Sequence, residues 1–553
     1  MQRRDFLKTA AVAGTAVLLQ KQRTFAQSAE AHIEVLLNEP IGQIAPEIYG
    51  HFTEQLGGVI YDGVWVGEGS KIANQGGIRT ALIEKLKAIK APVIRWPGGC
   101  FADSYDWKDG LGPRAKRPVR SNFWIVDDYD AESLHGKGVQ LYEDNAFGTD
   151  EFVRFCKLSG AEPYFASNLR SLPALEFDHW VEYCNSPAGS TTLAKQRAAN
   201  GSTEPYNVRY WGVGNESWGC GGNFTPEDYA SEYRRFTAWV PSYGQPLRFV
   251  GSGPNDDDVN WTHRFFEKLT GGRGGVDPRN LWGWSAHHYS WNTSRGRTQD
   301  WITGKGDALQ FEIVDWYEIL HESDFTEDII RDQWVTLAQY DREHRVKLVF
   351  DEYGPWYKKG TELDPTHMLG QQITMRDAVA TALTLDIFNR HAEKIGMAAC
   401  AQLINNLNAL FLAHKDNFIV TPNYYVFEMY AAHQGAQAVR AEFSAPQITY
   451  DRDGKQASFW GLKGSASVSG KILTLTVVNP DAKAPHEASV TLRGGSVSNA
   501  QAVVLAASDI HAHNTFDHPK NVGTEEKTVA VQGSTLRFTF PPASVTKISA
   551  TLG

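Results

Sequence analysis

The feature that most constrains the fold is a unit repeated along residues 48–436: a short apolar strand, a polar loop and an amphipathic helix. In the helical parts, apolar residues recur at three- and four-residue spacing, as in Leu82, Ile83, Leu86 and Ile89. Strands that alternate with helices in this way are typical of parallel sheets. The strands are predicted at 48–52, 92–96, 162–168, 208–214, 248–253, 282–289, 347–352 and 397–405.

Eight such units predict an α/β protein built on a (β/α)8 TIM barrel with long loops. The alternative is a doubly wound open sheet. The dinucleotide-binding form of that fold has a Gly-x-Gly-x-x-Gly segment after its first strand, and this chain has none there. We therefore place a barrel over residues 48–436. Helices are predicted at 80–90, 149–159, 226–240, 262–269, 328–344, 375–395 and 423–433.

The sequence changes character at about residue 437, where strand patterns continue without helical ones. Segments such as 473–478 and 536–540 alternate or are rich in β-branched residues, and Gly, Asn and Pro separate them. This pattern predicts an all-β sandwich over residues 437–553. A carbohydrate-binding module is the functional alternative, but the segment shows no exposed-looking row of aromatic residues, which favours a structural partner of the barrel.

The first 26 residues have the three parts of an export signal in order. Arg3 and Arg4 precede an apolar run over 10–19, and small residues at Thr24 and Ala26 mark a cleavage position. This pattern predicts a twin-arginine signal peptide and export to the periplasm or the medium; a cytosolic N-terminal helix is the alternative. The apolar run is too short to span a bilayer, and no later segment approaches about 20 apolar residues.

The net charge argues against two classes of partner. The chain has a formal charge of −10 at pH 7, and removal of the leader, with its excess of four positive charges, makes it −14. Nucleic acids and anionic membranes select basic surfaces. We therefore expect no nucleic acid and no membrane as a partner.

The cysteines and histidines do not follow a metal-binding pattern. The five cysteines are few, odd in number and never in Cys-x-x-Cys spacing, which predicts neither a disulfide framework nor a zinc site. His287 and His288 are adjacent on a predicted strand, so they point to opposite faces, and no third ligand has zinc spacing. We expect no metal and no cofactor.

Two glutamates at predicted strand ends are the strongest indication of chemistry. Glu216 follows Asn215 at the end of the fourth strand, and Glu352 ends the seventh. In a barrel, the loops that build active sites gather at the carboxyl ends of the strands. Two carboxyl groups about 5–5.5 Å apart can cleave a glycosidic bond with retention, one as nucleophile and one as acid. The pattern therefore predicts a retaining glycosidase.

The two carboxyl groups need different environments, because the nucleophile must be ionised while the acid is protonated. Arg95, at the end of the second strand, is predicted to hold Glu352 charged. Trp211 and Trp218 flank Glu216, and their apolar bulk is predicted to raise the pKa of that carboxyl.

Tryptophan is frequent in this chain, with 17 residues, and aromatic rings can stack on sugar faces. Most of these rings are expected in the core. Trp107, Trp218 and Trp356 lie in predicted rim loops and are expected to contact the ligand.

Five segments together resemble glycoside hydrolase family 51, the α-L-arabinofuranosidases of clan A. They are Arg95-Trp-Pro-Gly-Gly-Cys-Phe101, Tyr105-Asp-Trp-Lys-Asp-Gly-Leu-Gly-Pro113 with Arg117-Pro118, Tyr210-Trp-Gly-Val-Gly-Asn-Glu-Ser-Trp-Gly-Cys-Gly-Gly222, Phe350-Asp-Glu-Tyr-Gly354 and Ala401-Gln-Leu-Ile-Asn405. The resemblance extends over essentially the whole chain after Ala26. It implies that the β-sandwich is jelly-roll-like and that a strand within residues 27–47 joins it.

The resemblance implies a role for each matching residue. Glu216 matches the general acid/base of the family, and Glu352 matches the nucleophile. The residues that match substrate contacts are Glu54, Cys100, Asn215, His287, Tyr289, Trp356 and Gln402. Two positions depart from the pattern: Cys100 stands where some members have Asn, and Tyr353 follows the nucleophile where Trp is frequent.

Together these residues predict a retaining exo-α-L-arabinofuranosidase that removes terminal arabinofuranosyl groups from plant oligo- or polysaccharides by double displacement. Another clan A retaining activity, an endoglucanase or a β-xylosidase, is the nearest alternative, and a non-catalytic sugar-binding protein is a more distant one. Members of the family often form homo-oligomers, so a homo-oligomer is allowed, although the sequence identifies no interface.

Overall fold

The computed structural model describes residues 31–126, 142–271, 277–294 and 298–553. The predicted leader therefore lies outside the described residues. Among those residues, no helix combines the length and the apolar character that are needed to cross a lipid bilayer.

Eight parallel strands close into a barrel in which each strand pairs with its neighbours in chain order. The predicted fold class is thereby confirmed, and the open doubly wound sheet is wrong. The strands are β1 Gly50–Phe52, β2 Val93–Trp96, β3 Glu162–Ser167, β4 Tyr210–Val213, β5 Arg248–Gly251, β6 Gly283–Ser290, β7 Lys347–Pro355 and β8 Ile395–Cys400.

Ten α-helices lie among the described residues, and seven correspond to predicted ones. Three were missed, at Ala174–Asn185, Thr192–Ala199 and Ile313–Asp324, because the long connections after β3 and β6 contain additional helices. The helices are α1 Thr80–Ala88, α2 Thr149–Ser159, α3 Ala174–Asn185, α4 Thr192–Ala199, α5 Pro226–Thr237, α6 Val259–Thr270, α7 Ile313–Asp324, α8 Thr326–Leu337, α9 Met375–Arg390 and α10 Pro422–Tyr430.

Apolar side chains close the lower part of the barrel. One residue from each of six strands joins a small buried cluster inside the strand cylinder, as expected for a barrel whose interior is packed. The residues are Val93, Tyr164, Tyr210, Val250, Val349 and Met397. The barrel interior is therefore packed at this layer and is not an open channel.

The C-terminal part forms one ten-stranded sheet with a hydrophobic core of its own. The N-terminal strand Ala31–Gln43 lies within this sheet, antiparallel to Gln437–Ser444 and parallel to His486–Arg493. The strand order is Thr524–Thr528, Val497–Leu505, Ser544–Leu552, Ile472–Asn479, Lys463–Ser469, Gln437–Ser444, Ala31–Gln43, His486–Arg493, Thr535–Phe540 and Ala530–Gln532.

The C-terminal part packs against helices α7 and α9 of the barrel. The carboxylate of Asp386 in α9 accepts a hydrogen bond of 2.6 Å from Ser465 in the sheet. Glu318 in α7 forms a buried ion pair of 2.8 Å with Arg452, which lies in a separate two-stranded hairpin, Ile448–Arg452 with Lys455–Phe459. Buried polar contacts of this kind need defined geometry, so they fix the C-terminal part against one side of the barrel.

Candidate active site

A cavity of about 540 Å³ opens at the carboxyl ends of the barrel strands. Most of the predicted site residues line it: Glu54, Cys100, Glu216, His287, Tyr289, Glu352, Trp356 and Gln402. Arg95 and Asn215 are buried next to these residues and contact them from below. The predicted residues therefore meet in one place, as the convergence of strand ends in a barrel requires.

Glu216 and Glu352 face each other across the cavity floor. One carboxylate oxygen from each, together with a nitrogen of His287, lie within 4.8 Å of one another. Glu352 lies inside β7, whereas Glu216 lies three residues beyond the end of β4, with a positive φ of 39°. Non-glycine residues adopt this conformation at a cost of about 1–3 kcal/mol, and such strain is concentrated at functional sites.

Glu352 has a hydrogen-bond donor on each oxygen. Arg95 Nη1 donates to Oε1 at 2.7 Å, and the hydroxyl of Tyr289 donates to Oε2 at 2.7 Å. Gly99 passes so close that a Cβ there would lie 2.6 Å from Oε1, which explains the glycine at this position. Two donors, one on each oxygen, hold the carboxyl group in one orientation.

Glu216 is paired with His287, whose Nδ1 lies 2.9 Å from Oε1. Burial raises the pKa of Glu216 above the ordinary glutamate value. Trp218 lines the cavity beside Glu216, as expected. The role predicted for Trp211 is wrong, because its ring points outward from the barrel and packs against Phe165.

His287 joins the two glutamates to Asp351, a site residue to which the sequence analysis gave no role. Its Nε2 lies 3.1 Å from Asp351, and Nδ1 lies 3.6 Å from Glu352. Burial alone would lower the pKa of His287, but the Glu352, Asp351 and Glu216 carboxyls together raise it to about 10. The imidazole is therefore protonated near neutral pH and donates from both nitrogens.

Asp351 is fixed by contacts on both of its oxygens. Ser285 donates to Oδ1 at 2.6 Å, Tyr164 donates to Oδ2 at 2.8 Å, and Arg95 Nε lies 3.5 Å from Oδ2. These partners lower the pKa of Asp351 despite its burial. Its position directly before Glu352 was the only signal available in the sequence.

Glu54 forms a third acidic group in the cavity wall. Its Oε1 accepts from the backbone N–H groups of Gly99 and Phe101, each at 3.1 Å. Its Oε2 accepts from Gln402 Nε2 at 3.0 Å. Burial and the neighbouring Glu352 raise the pKa of Glu54 to about 8.

Asn215 is held beneath the cavity by two charged residues. Arg95 Nη2 donates to its side-chain oxygen at 2.6 Å, and its backbone N–H donates to Asp103 at 3.0 Å. Asp103 is buried and also accepts from the backbone of Leu169 and Arg170, so it ties the loops after β2, β3 and β4 together. The sequence analysis did not select Asp103.

Aromatic rings form much of the cavity rim. Trp218 and Trp356 line it as predicted, whereas Trp107 is 2% exposed and stacks on Trp180 in the core, so its predicted ligand contact is wrong. The rim residues that were missed are Trp124, Trp291 and Trp301. Their loops lack strand or helix periodicity, which gave no basis for placing them.

Two cysteines form a disulfide bond beside Glu216, which the sequence analysis did not anticipate. Cys100, in the loop after β2, is bonded to Cys220, in the loop after β4, at an S–S distance of 2.06 Å. The two residues are 120 positions apart, so spacing alone could not pair them. Their sulfurs lie 3.8 and 3.5 Å from Glu216 Oε2, and as disulfide sulfurs they carry no proton to donate.

Replacing both cysteines by serine should lower the free energy of unfolding by about 2–4 kcal/mol, because the bond closes a long loop. Denaturant unfolding of the double variant and of the parent chain would measure this loss. A reductant should destabilise the parent to a similar extent and leave the double variant unchanged. Equal stability of the two chains would contradict the prediction.

Comparisons with known proteins agree with this geometry. Residues 85–300 match the family model of the α-L-arabinofuranosidase 1 domain, and residues 351–544 match that of the α-L-arabinofuranosidase C-terminal domain. An intracellular exo-α-L-arabinofuranosidase of Bacteroides ovatus is 34% identical over 505 residues, covering 91% of this chain and 92% of that protein. The chain belongs to glycoside hydrolase family 51.

Solved structures of family 51 enzymes have the same architecture. The arabinofuranosidase of Xanthomonas axonopodis pv. citri is 34% identical, with a TM-score of 0.85, covering 94% of this chain and 100% of that one. An arabinose complex of the Thermotoga maritima α-L-arabinofuranosidase is 28% identical, with a TM-score of 0.79, covering 95% of this chain and 100% of that one. The predicted family and the predicted enzyme class, α-L-arabinofuranosidase, are confirmed.

The comparisons correct one prediction about this family 51 enzyme. Export through a twin-arginine signal was expected, with a periplasmic or secreted location. The Bacteroides ovatus relative, which matches over most of its length, is named an intracellular enzyme. The prediction of export is wrong by this comparison, because a leader-like pattern of charge and apolar residues also fits an N-terminal segment that is not an export signal.

Proposed function

We propose that this chain is a retaining, exo-acting α-L-arabinofuranosidase in which Glu352 is the nucleophile and Glu216 the general acid/base. The observation that supports this most is the approach of the two carboxyl groups, with an oxygen of each within 4.8 Å of the other. Retaining enzymes place these groups about 5–5.5 Å apart, whereas inverting enzymes need about 6.5–9.5 Å to admit a water molecule.

In the first step, an ionised oxygen of Glu352 attacks C1 of the terminal sugar. The C1–O bond to the leaving group breaks, and Glu216 transfers its proton to the departing oxygen. The product is an ester between the sugar and Glu352, with the configuration at C1 inverted. In the second step, Glu216 removes a proton from water, which attacks C1 and releases Glu352, so that the configuration is restored.

The charges of the site match these roles. Arg95 contacts Glu352 and Asp351, whereas the closest carboxylates to His287 are those of Glu216 and Asp351. Burial raises the pKa of Glu216, which favours the protonated form that a general acid needs. With His287 Nδ1 next to Oε1, the proton that Glu216 transfers would be carried on Oε2.

The remaining cavity residues would hold the sugar. Glu54 and Gln402, fixed by their mutual hydrogen bond, present polar atoms to ring hydroxyls, and Asn215 lies near the C1 region beside Glu352. Trp356 offers an apolar ring, and Cys100 offers a sulfur contact without a donor. A binding site with few polar groups among aromatic rings is usual for a small ligand.

The substrate class proposed is an arabinofuranosyl-containing oligo- or polysaccharide, such as arabinan or arabinoxylan fragments. The exo action rests on the name of the Bacteroides ovatus relative and on a cavity of limited volume.

We also propose that strand Ala31–Gln43, within residues 27–47, and residues 437–553 form one β-domain that supports the barrel of residues 48–436. Assembly into a homo-oligomer stays a prediction.

A panel of aryl glycosides tests the substrate class. The value of kcat/KM for an aryl α-L-arabinofuranoside should exceed that for an aryl β-D-xyloside or β-D-glucoside by about 100-fold or more, because a site that hydrogen-bonds the correct hydroxyls rejects a ring that leaves them unpaired. Product configuration, followed by NMR at early times, should show retention. Equal or reversed preference would support the xylosidase or glucanase alternative.

A further inference from the structure

Three side chains meet at the barrel rim outside the catalytic cavity. Asp62 lies in the loop after β1, His367 in the loop after β7, and His414 in the hairpin Phe411–His414 and Asn417–Val420 that follows β8. Asp62 and His414 are 352 residues apart in the chain. The three loops converge here only because β7, β8 and β1 are neighbours in the closed barrel.

One oxygen of Asp62 faces both histidines. His414 Nδ1 lies 2.9 Å from Oδ2, and His367 Nε2 lies 3.4 Å from the same oxygen. All three candidate ligand atoms lie within 4.8 Å of one another. In a tetrahedral zinc site with bonds of about 2.0–2.1 Å, neighbouring ligand atoms are about 3.3 Å apart, so these distances fit around one ion after a small adjustment.

The surroundings hold the carboxylate in this orientation. Asp62 Oδ1 accepts from the backbone N–H of Lys415 at 2.7 Å and lies 3.7 Å from Arg79 Nη2, which leaves Oδ2 for the histidines. Asp364 belongs to the same loop as His367, and its backbone carbonyl accepts from the His367 N–H at 2.8 Å. The cluster therefore has a second acidic group nearby.

The chain makes room for His367. A Cβ at position 58 would lie 2.5–2.7 Å from three ring atoms of His367, so only glycine fits beside the ring. The His367 side chain is 4% exposed, whereas those of Asp62 and His414 are 26% and 25% exposed. The buried imidazole of His367 provides a ligand in a fixed position. The partly exposed Asp62 and His414 leave a path by which an ion can enter from solvent.

We propose that Asp62, His367 and His414 form a binding site for a divalent first-row transition ion, of which Zn²⁺ is the probe. Two imidazoles and a carboxylate are suitable ligands for such ions, and water completes the coordination. The ion would connect three segments next to the cavity, since Leu369 in the His367 loop and Leu407, just before the hairpin, line it. Its role is to stabilise the rim rather than to take part in hydrolysis.

The test measures zinc bound to the full-length chain after chelator treatment and gel filtration. The parent chain should bind one more Zn²⁺ per chain than the His414→Gln variant, and saturating Zn²⁺ should raise the Tm of the parent by a few degrees. Asp62→Asn should lose the same ion and the same rise in Tm. Asparagine tolerates the φ of 70° at this position and keeps an oxygen for the Lys415 N–H.

His179→Gln is the matched control, because His179 on helix α3 is partly exposed, pairs with Glu176 at 3.7 Å and is not part of the cluster. It should bind zinc as the parent does. Zinc can also be bound by Glu216, His287 and Glu352 in the catalytic cavity. The His414→Gln variant should still bind that ion, which distinguishes it from an ion at the proposed site. The proposal is overturned if the parent retains no zinc at micromolar concentrations, or if His414→Gln and Asp62→Asn keep both the stoichiometry and the Tm rise of the parent.

Discussion

Replacing Glu352 by alanine is expected to lower kcat for an aryl α-L-arabinofuranoside by a factor on the order of 10⁴ or more. The variant lacks the atom that forms the covalent intermediate, and loss of a nucleophile removes the whole double displacement. The rest of the site should stay in place, because Arg95 keeps Asp351 as a partner and His287 keeps Asp351 and Glu216. Initial rates under substrate saturation measure the effect.

Azide gives the diagnostic result for this variant. The shortened side chain leaves space next to C1, where azide can attack directly while the aryl oxide departs. One displacement inverts C1, so the product should be the β-L-arabinofuranosyl azide, identified by NMR. No such product is expected from the parent chain.

Glu227→Ala serves as the control for removal of a glutamate. Glu227 lies on helix α5, forms a surface ion pair with Arg264 at 2.7 Å, and is remote from the cavity lining. Its activity should match that of the parent. Parent-like activity of Glu352→Ala, with an unchanged Tm, would remove Glu352 from the nucleophile role and leave the fold intact.

The barrel was predictable because its signal is local and repeated. Each β-strand is a short apolar run, and helices such as α2, predicted and observed at 149–159, show apolar residues at helical spacing. The helix predicted at 328–344 ends at Leu337, and the one at 375–395 ends at Arg390 because Ile395 already belongs to β8. Helix ends depend on tertiary contacts, which local periodicity does not report.

The sequence predicted those candidate site residues that stand at or near the end of a strand, such as Glu216 and Glu352. The missed parts depend on contacts between distant loops. The Cys100–Cys220 bond and the cluster of Asp62 with His367 and His414 join segments that no spacing rule connects. The sequence also does not show which way a tryptophan side chain points, so Trp107 in the core could not be distinguished from Trp301 at the rim.

Replacing Glu216 by alanine should give a loss that depends on the leaving group. For a substrate with a poor leaving group, such as an arabino-oligosaccharide, kcat/KM should fall by about 10²–10⁴-fold, which is the usual contribution of a general acid. For an aryl glycoside whose phenol leaves without protonation, kcat/KM should fall by less than about tenfold, because the first step no longer needs the acid. Parallel assays of the two substrates measure the difference.

The pH profile should change in the same variant. Burial raises the pKa of Glu216, so the parent keeps its acid form above the usual glutamate range and loses kcat/KM as pH rises through that pKa. The alanine variant has no group to deprotonate there. With the activated aryl substrate, its kcat/KM should therefore lack this alkaline fall.

The anomeric configuration of the azide product should distinguish the roles of the two glutamates. In Glu216→Ala the sugar still reaches Glu352, and azide then attacks C1 of the ester as the carboxylate departs. Two inversions give the α-L-arabinofuranosyl azide, the opposite anomer to that expected from Glu352→Ala. If Glu216→Ala gave the β-azide instead, Glu216 would be the nucleophile and the assignment would have to be exchanged. If azide gave no adduct and all leaving groups were affected equally, Glu216 would act by positioning His287 rather than by transferring a proton.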